Sequence, residues 1–264
     1  MITIDNEICN GCGLCARDCF TKLIEIKDKT AVITHCDCLS CGHCAAVCPR
    51  EAITVNKYDM SETLVYNPQV MQVDQDQLFG FMQYRRSTRQ FKGIPVEKEK
   101  LEKIIEAGRY SPTTANNQTV RYIVLQDQLE DARKLAVDAL YKMAVEFPDD
   151  PYHDTNMRIY EAAKQNKDFL FHHAPAVIAV LGHKANNNIN AALAASRMEL
   201  MANALGLGAC FIGLFTRAVN NETELSEMLG IDRHYSMTAA LAIGYPAVNY
   251  LRTVPRKKAK VEWK

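Results

Sequence analysis

Hydrophobic and polar positions change rhythm twice along this chain. In the first 57 residues the apolar positions come in short alternating stretches, LIEI at 23–26, AVIT at 31–34 and AITV at 52–55. Alternation bounded by turn residues predicts short β-strands, because successive side chains of a strand point to opposite faces. The next stretch, NKYDMSETLVYNPQVMQVDQDQ (56–77), is polar, contains a proline and keeps no period, which predicts a linker draped over a second domain. Beyond it the patterns lengthen. VEKEKLEKIIEAGRYSP carries Leu101, Ile104, Ile105 and Gly108 at helical spacing and stops before Pro112. A long helix is expected over 129–147, broken by PDDP at 148–151, and YEAAKQNKDFLFHHAP reads as a helix ending before Pro175. NINAALAASRMELMANALGLG is an alanine-rich helix closed by Gly206, and its small side chains permit close helix packing. RYIVLQ (121–126), AVIAVLG (176–182), ACFIGLF (209–215) and TAALAIGYP (238–246) read as strands. Helices and strands in mixed order, with few tight hairpin signals, predict an α+β layer fold and not a strict βαβ repeat.

The change of texture divides the 264 residues into a small module at 1–57, a linker at 58–77 and a main domain at 78–264. Lys+Arg and Asp+Glu balance at 31 each, which argues against a dedicated nucleic-acid binder with its basic excess. No apolar run approaches the roughly 18–20 residues needed to span a bilayer. The start MITIDNEICNG lacks the basic beginning and apolar core of a signal peptide. A cytoplasmic location without membrane attachment is therefore expected, and with it reduced thiols. Clustered cysteines there point to metal before disulfides.

Nine of the ten cysteines stand in the first 48 residues. Cys9, Cys12 and Cys15 are three apart, with Cys19 four further on; Cys38, Cys41, Cys44 and Cys48 repeat the spacing, and Pro49 follows. Three thiolates at such intervals can converge on an iron–sulfur cube from a tight loop, while the fourth leads away along a short helix to the other cube. The expected ligand sets are Cys9, Cys12, Cys15 with Cys48, and Cys38, Cys41, Cys44 with Cys19. Zinc sites instead bring two close pairs separated by a longer loop. Gly11, Gly13 and Gly42 suit loops whose amides approach cluster sulfurs closely. Residues 1–57 resemble a bacterial-type ferredoxin with two 4Fe-4S clusters. Phe20 departs from the pattern, standing where the second run has Pro49. Cys36 is out of register and reads as a structural or spare thiol; Cys210 reads as a small buried residue.

The main domain offers weaker signals. GLGACF (206–211) has two glycines of a dinucleotide fingerprint but precedes a strand instead of following one, so the fingerprint is rejected. Arg85, Arg86 and Arg89 surround the hydroxyls of Ser87 and Thr88 in RRSTRQF, a natural receptor for a phosphate dianion. SPTTANNQ (111–118) is rich in hydroxyl and amide groups able to meet the edge of a heterocycle, and VPRKKAK (254–260) adds four cations. HHAP reads as a helix terminus, imidazoles being favourable near the carbonyl end.

Together and in this order, these stretches resemble the nitroreductase-like FMN enzymes over 78–264. The resemblance implies that Arg85, Ser87 and Arg89, flanked by Arg86, hold the FMN phosphate with Arg256 and Lys258. It implies that Pro112, Thr113 and Asn116 reach the flavin ring from a partner subunit, and that the amide of Gly213 faces the flavin N5 edge. Thr119 and Val120 depart from the proline and tryptophan of many relatives, and the family's amide contact to the flavin pyrimidine has only Asn166 and Lys167 nearby.

Iron–sulfur clusters pass single electrons, and flavin can gather two and deliver a hydride equivalent. The expected protein is thus a homodimeric reductase in which two 4Fe-4S clusters feed FMN. The acceptor would be a small electrophile such as a nitroaromatic, quinone or activated alkene. Reduced ferredoxin and NAD(P)H are the candidate donors, and no side chain stands out as a general acid. The rival reading is an electron carrier that serves a protein partner and turns over no small molecule.

Overall fold

The computed structural model describes residues 1–186 and 188–264. The chain divides into two units, one of Met1–Val73 with Thr113–Gln118, the other of Asp74–Pro112 with Thr119–Lys264. The first carries β1 (Ile2–Ile4), α1 (Leu14–Asp18), β2 (Ile24–Lys27), β3 (Thr30–Ile33), α2 (His43–Ala46), β4 (Ile53–Val55) and α3 (Pro68–Met71). Two antiparallel pairs form: β1 with β4, Ile2 facing Val55, and β2 with β3, Ile24 facing Ile33. The β2–β3 turn is Asp28-Lys29 with both residues at positive φ, 48° and 62°, a backbone twist that matches that of the strands it joins. The core is small. Ile2, Leu23, Ile24, Ala31, Ile53 and Val55 supply its aliphatic part, and the thiols of Cys15, Cys19 and Cys44 are buried among them.

The second unit opens with α4 (Gln75–Tyr84), whose first amides, on Asp76 and Gln77, donate to the Asp74 carboxylate. There follow α5 (Lys98–Arg109), β5 (Arg121–Leu125), α6 (Leu129–Glu146), α7 (His153–Ala163), β6 (Ala176–His183), α8 (Ile189–Ala204), β7 (Gly208–Phe211), α9 (Gly213–Asn221), α10 (Thr223–Met228) and β8 (Tyr235–Gly244). The sheet runs β5-β6-β8-β7, each neighbouring pair antiparallel. Helices cover both faces, which is why β6 reads as an unbroken apolar run. Its Ala176, Ile178 and Val180 join the core under α5 and α8, while Val177, Ala179 and Leu181 join the core with α6, α7 and α9. Buried Ala191, Ala194, Ala195 and Ala202 let α8 lie close to the sheet and α5.

The expected linker at 58–77 holds a 3-10 turn at Met60–Glu62, then α3, and α4 has begun by Gln75. Two expectations need correction. The helix expected to run to Pro175 ends at Ala163. Beyond it, Asp168 draws the amides of Leu170, Phe171 and His173 to one buried carboxylate, and Asn166, His172 and His173 take positive φ of 57°, 58° and 57°. HHAP is therefore no helix terminus. Last, ACFIGLF is a strand only as far as Phe211; Gly213 opens α9. Among the described residues no helix is long and apolar enough to cross a membrane.

Candidate cofactor sites

The first unit contains two thiol-lined hollows. Cys9, Cys12, Cys15 and Cys48 edge one, with Gly11, Gly13 and Ile26 beside them; Cys19, Cys38, Cys41 and Cys44 edge the other, with Ile2, Phe20 and Leu23. The two runs thus exchange their last cysteine. The reason is local: Cys15 lies in the five-residue helix α1 and Cys19 caps its end, so the helix carries one thiol to each hollow. Gly11 makes room for this. At φ +65°, it faces the Lys29 carbonyl so closely that a Cβ would lie 2.2 Å from that oxygen. Backbone amides point at the sulfurs, Ala31 N–H to Cys9 Sγ at 3.5 Å, Ser40 N–H to Cys38 Sγ at 3.4 Å and Ala52 N–H to Cys48 Sγ at 3.4 Å.

The sulfurs surround space instead of meeting at a point. Among the described residues no group of three or more His, Cys, Asp or Glu side chains is placed to hold a single metal ion. Burial pushes the Cys44 thiol up to about 11, with Cys41, Cys38 and Cys19 adding to the shift, and pushes Cys15 up in the same way beside Cys48 and Cys9. Burial also acts on Cys19, but hydrogen bonds from Thr21 and the amides of residues 21–23 outweigh it and bring that thiol down. Four thiolates crowded round one hollow stand only if cationic iron compensates them, since metal and protons compete for the same sulfurs. The donor set and the inward amides fit a 4Fe-4S cube in each hollow. Cys36 is exposed and edges neither.

The second unit holds a cleft of about 410 Å³, a size suited to a small ligand or cofactor. Its walls come from four separate segments: Arg89; Tyr152; Phe169, Leu170 and His172; and the run from Cys210 to Leu214 with Arg217. The RRSTR segment is pinned to β7. Ser87 bridges Ala209, Thr88 N–H donates to the Ala209 carbonyl at 2.9 Å, and the Thr88 side chain fills the space over Gly208, where a Cβ would lie 2.5 Å from its hydroxyl. This registration delivers Arg89 to the cleft. The cleft is also lined by the start of α9, where the N–H groups of Gly213 and Leu214 have no intrahelical acceptor and favour electron-rich ligand atoms.

The other expected residues are distributed differently. Arg85 pairs with Glu199 of α8 at 2.7 Å, and the carboxylate is 8% exposed. Burial pushes Glu199 up while Arg85 pulls it back. Arg86 lies over the Tyr250 ring at 5.2 Å, and its Nε is buried with no partner, an orphan donor inside RRSTR. Arg256 and Lys258 are exposed on a C-terminal segment without regular structure and are not among the residues that line the cleft. Pro112 closes the first stretch of the second unit, whereas Thr113 and Asn116 belong to the first unit.

Sequence reasoning missed His172, Tyr152 and Arg217. Burial pushes His172 down, Asp168 opposes, and Arg89 pushes it further down, so its imidazole faces the cleft neutral near pH 7. Arg217 grips Asp150 through both terminal guanidinium nitrogens, the Nη1 bond measuring 2.9 Å, and lies over the Tyr152 ring at 5.0 Å. That grip holds the Asp150 carboxyl down at about 2. The signal for this wall was the PDDP breaker, which read only as punctuation.

With this geometry in place, comparison with known proteins is informative. The Nitroreductase family matches residues 82–245, and the 4Fe-4S dicluster domain matches residues 8–68. A ferredoxin of Methanothermococcus thermolithotrophicus is 41% identical over 59 residues, which are 21% of this chain and 98% of that protein. An FMN reductase (NAD(P)H) of Bacillus subtilis is 28% identical over 162 residues, 61% of this chain; the chain spans 63% of that reductase's length. A crystal structure of a nitroreductase with bound FMN from Bacteroides fragilis superimposes with a TM-score of 0.59 at 20% identity, covering 72% of this chain and all of that one (100%), a likeness of fold.

Proposed function

This chain belongs to the nitroreductase family and carries a 4Fe-4S dicluster domain, and from that premise we propose that it is an FMN-dependent reductase fed through two 4Fe-4S clusters. Electrons would enter singly at the thiol-lined hollows and leave in pairs from the cleft to a small electrophile, a nitroaromatic, quinone or activated alkene. The observation that carries this reading is the coexistence, in one chain, of two four-thiol hollows and a cleft lined by Arg89 and the Gly213 amide. When bound, FMN supplies the exchange between one-electron and two-electron chemistry.

The residues divide the work of holding it. Arg89, with the orphan Nε of Arg86 and the Ser87 hydroxyl, offers charge and donors to the phosphate end. Arg256 and Lys258, exposed on an irregular segment, are the cations available to close over the same charge. The N–H groups of Gly213 and Leu214 orient an acceptor atom of the ring. Phe169, Leu170, Phe211 and Ile212 exclude water and leave an apolar face for a flat acceptor. Cys9, Cys12, Cys15 and Cys48 would ligate one cluster, Cys19, Cys38, Cys41 and Cys44 the other.

A homodimer is part of the proposal. Leu78, Phe79 and Met82 on α4 and Ile189 and Leu193 on α8 are exposed apolar side chains, of the kind a second copy covers. Sedimentation of the flavin-loaded protein should give twice the chain mass; a monomer that keeps its flavin removes this element.

The test of function is turnover. Anaerobic protein containing about eight irons per chain and one flavin is offered a panel of nitroaromatics, quinones and activated alkenes, with reduced ferredoxin or NAD(P)H as donor. Saturable reduction of at least one acceptor class is expected. Rapid electron uptake with no acceptor turned over would make the protein a carrier instead.

A further inference from the structure

Thr113–Gln118, most of the SPTTANNQ loop that resemblance sends to a flavin ring, packs in this chain within the iron–sulfur unit. Its backbone is strained: Ala115, Asn116 and Gln118 stand at φ of 49°, 52° and 50°. Such conformations are disfavoured for side-chain-bearing residues and persist only where the surroundings hold them. A polar network does so here. Asn116 Nδ2 donates to the Ser40 carbonyl at 2.8 Å, to Tyr58 Oη at 3.2 Å and, at the long limit of 3.4 Å, to the Leu39 carbonyl. Gln118 Nε2 donates to Tyr58 Oη at 2.8 Å and to Asn116 Oδ1 at 3.1 Å, and the Gln118 amide donates to Thr113 Oγ1 at 3.1 Å.

What the network grips is the turn between two thiols. Leu39 and Ser40 separate Cys38 from Cys41, Ser40 is 7% exposed and itself at φ 51°, and its N–H donates to Cys38 Sγ at 3.4 Å. Ser40 is thus held from both sides, its carbonyl by the Asn116 amide at 2.8 Å and its N–H on the sulfur, with the Leu39 carbonyl a longer contact at 3.4 Å. Turning Ser40 about its backbone would release both.

We propose that Asn116 is a positioning residue for the cluster held by Cys19, Cys38, Cys41 and Cys44. It holds Ser40 by its carbonyl so that the Ser40 N–H stays on Cys38 sulfur, and by that bond it raises the reduction potential of this cluster. This rests on the reading that the thiols hold two clusters. The physical cause is that N–H donors to cluster sulfur favour the reduced form, which carries one more negative charge. The clamp comes from the segment between α5 and β5, so a loop whose flanking sequence belongs to the flavin domain sets a property of the iron–sulfur module.

The test is an anaerobic redox titration of the full-length protein followed by EPR, with iron counted on the same samples. Asn116→Ala should keep about eight irons per chain while one of the two cluster potentials moves to more negative values. A tenfold shift in that couple's equilibrium, the scale on which outer partners act at metal sites, is about 59 mV for one electron. Tyr58→Phe, which removes the hydroxyl receiving both Asn116 and Gln118, should move the same cluster in the same direction by less. Unmoved potentials at full iron content, or equal movement of both clusters, overturn the proposal. If Asn116→Ala loses iron, Tyr58→Phe decides by the same criteria. A wild-type protein without two cluster signals would instead refute the ligand reading itself.

Discussion

The two units are held together by opposite means. In the second, the sheet is buried on both faces: the central strands β6 and β8 contribute Val177, Ile178, Val180, Leu181, Leu241 and Ile243, all essentially inaccessible to water. In the first, a handful of aliphatic residues share their core with three thiols, and the strands are three or four residues long. At roughly 25 cal/mol per Å² of apolar burial, so few side chains cannot offset the backbone entropy of ordering some seventy residues. Stability in one unit is spread over a continuous core; in the other it is concentrated in the iron. Concentrated stability is written in contiguous motifs, and distributed stability is not.

The largest effect should come from iron removal. Chelation under reducing conditions is expected to abolish hydrogen-exchange protection in β1 and β4 while β6 and β8 keep theirs. Equal retention in both units would break the contrast. Next, Cys44→Ser should lower iron from about eight to about four per chain, one cube of two, and leave bound flavin unchanged by absorbance.

Within the second unit, Arg85→Ala leaves the Glu199 carboxylate buried without its partner, at a cost of about 3 kcal/mol read by urea unfolding of this unit. The pH dependence has a definite sign. Without Arg85 to oppose burial, Glu199 in the folded state titrates further above its unfolded value of 4.5. The variant's deficit should therefore be small below pH 4.5 and grow as pH rises above it. A deficit independent of pH would show that Arg85 acts by packing alone. Because Arg85 is engaged by Glu199, Arg89→Ala, at the cleft itself, should remove more flavin than Arg85→Ala, with iron unchanged in both. The smallest effect concerns Asp150. Arg217 holds its carboxyl at about 2, below the ordinary 3.8, so the stability it contributes is present above pH 3.8 and lost as pH falls towards 2. Asp150→Asn should be slightly less stable than wild type at pH 7 and indistinguishable from it near pH 2 by thermal unfolding.

The same contrast explains what could be read in advance. In each run four thiols spaced by three and four residues must lie near one another whatever the rest of the chain does, so the two runs are legible from order alone. The buried strand AVIAVLG and the helix closed by Gly206 are likewise long enough to be decided by their own pattern. The cleft is legible only in part: Arg89 stands in RRSTR and Gly213 in a stretch marked by resemblance, but Tyr152 and His172 come from distant segments and carry no local signature. AAKQNKDFLF has helix-forming composition, yet the single carboxylate of Asp168 diverts the chain into a turn. ACFIGLF is apolar throughout, and a short apolar run does not distinguish a strand from the start of a helix. Asn116 was legible as a polar loop residue, but its hydrogen bonds span 76 positions to Ser40.

The central claim is that clusters and flavin in one chain form a single electron store. It is tested most directly by reducing the protein fully under anaerobic conditions, removing the donor, and mixing it with excess nitroaromatic acceptor while following flavin and cluster absorption together. The account predicts that both chromophores reoxidise and that the acceptor gains about four electrons per chain, two from the flavin and one from each cluster. Delivery that stops at about two, with the clusters still reduced, would contradict it.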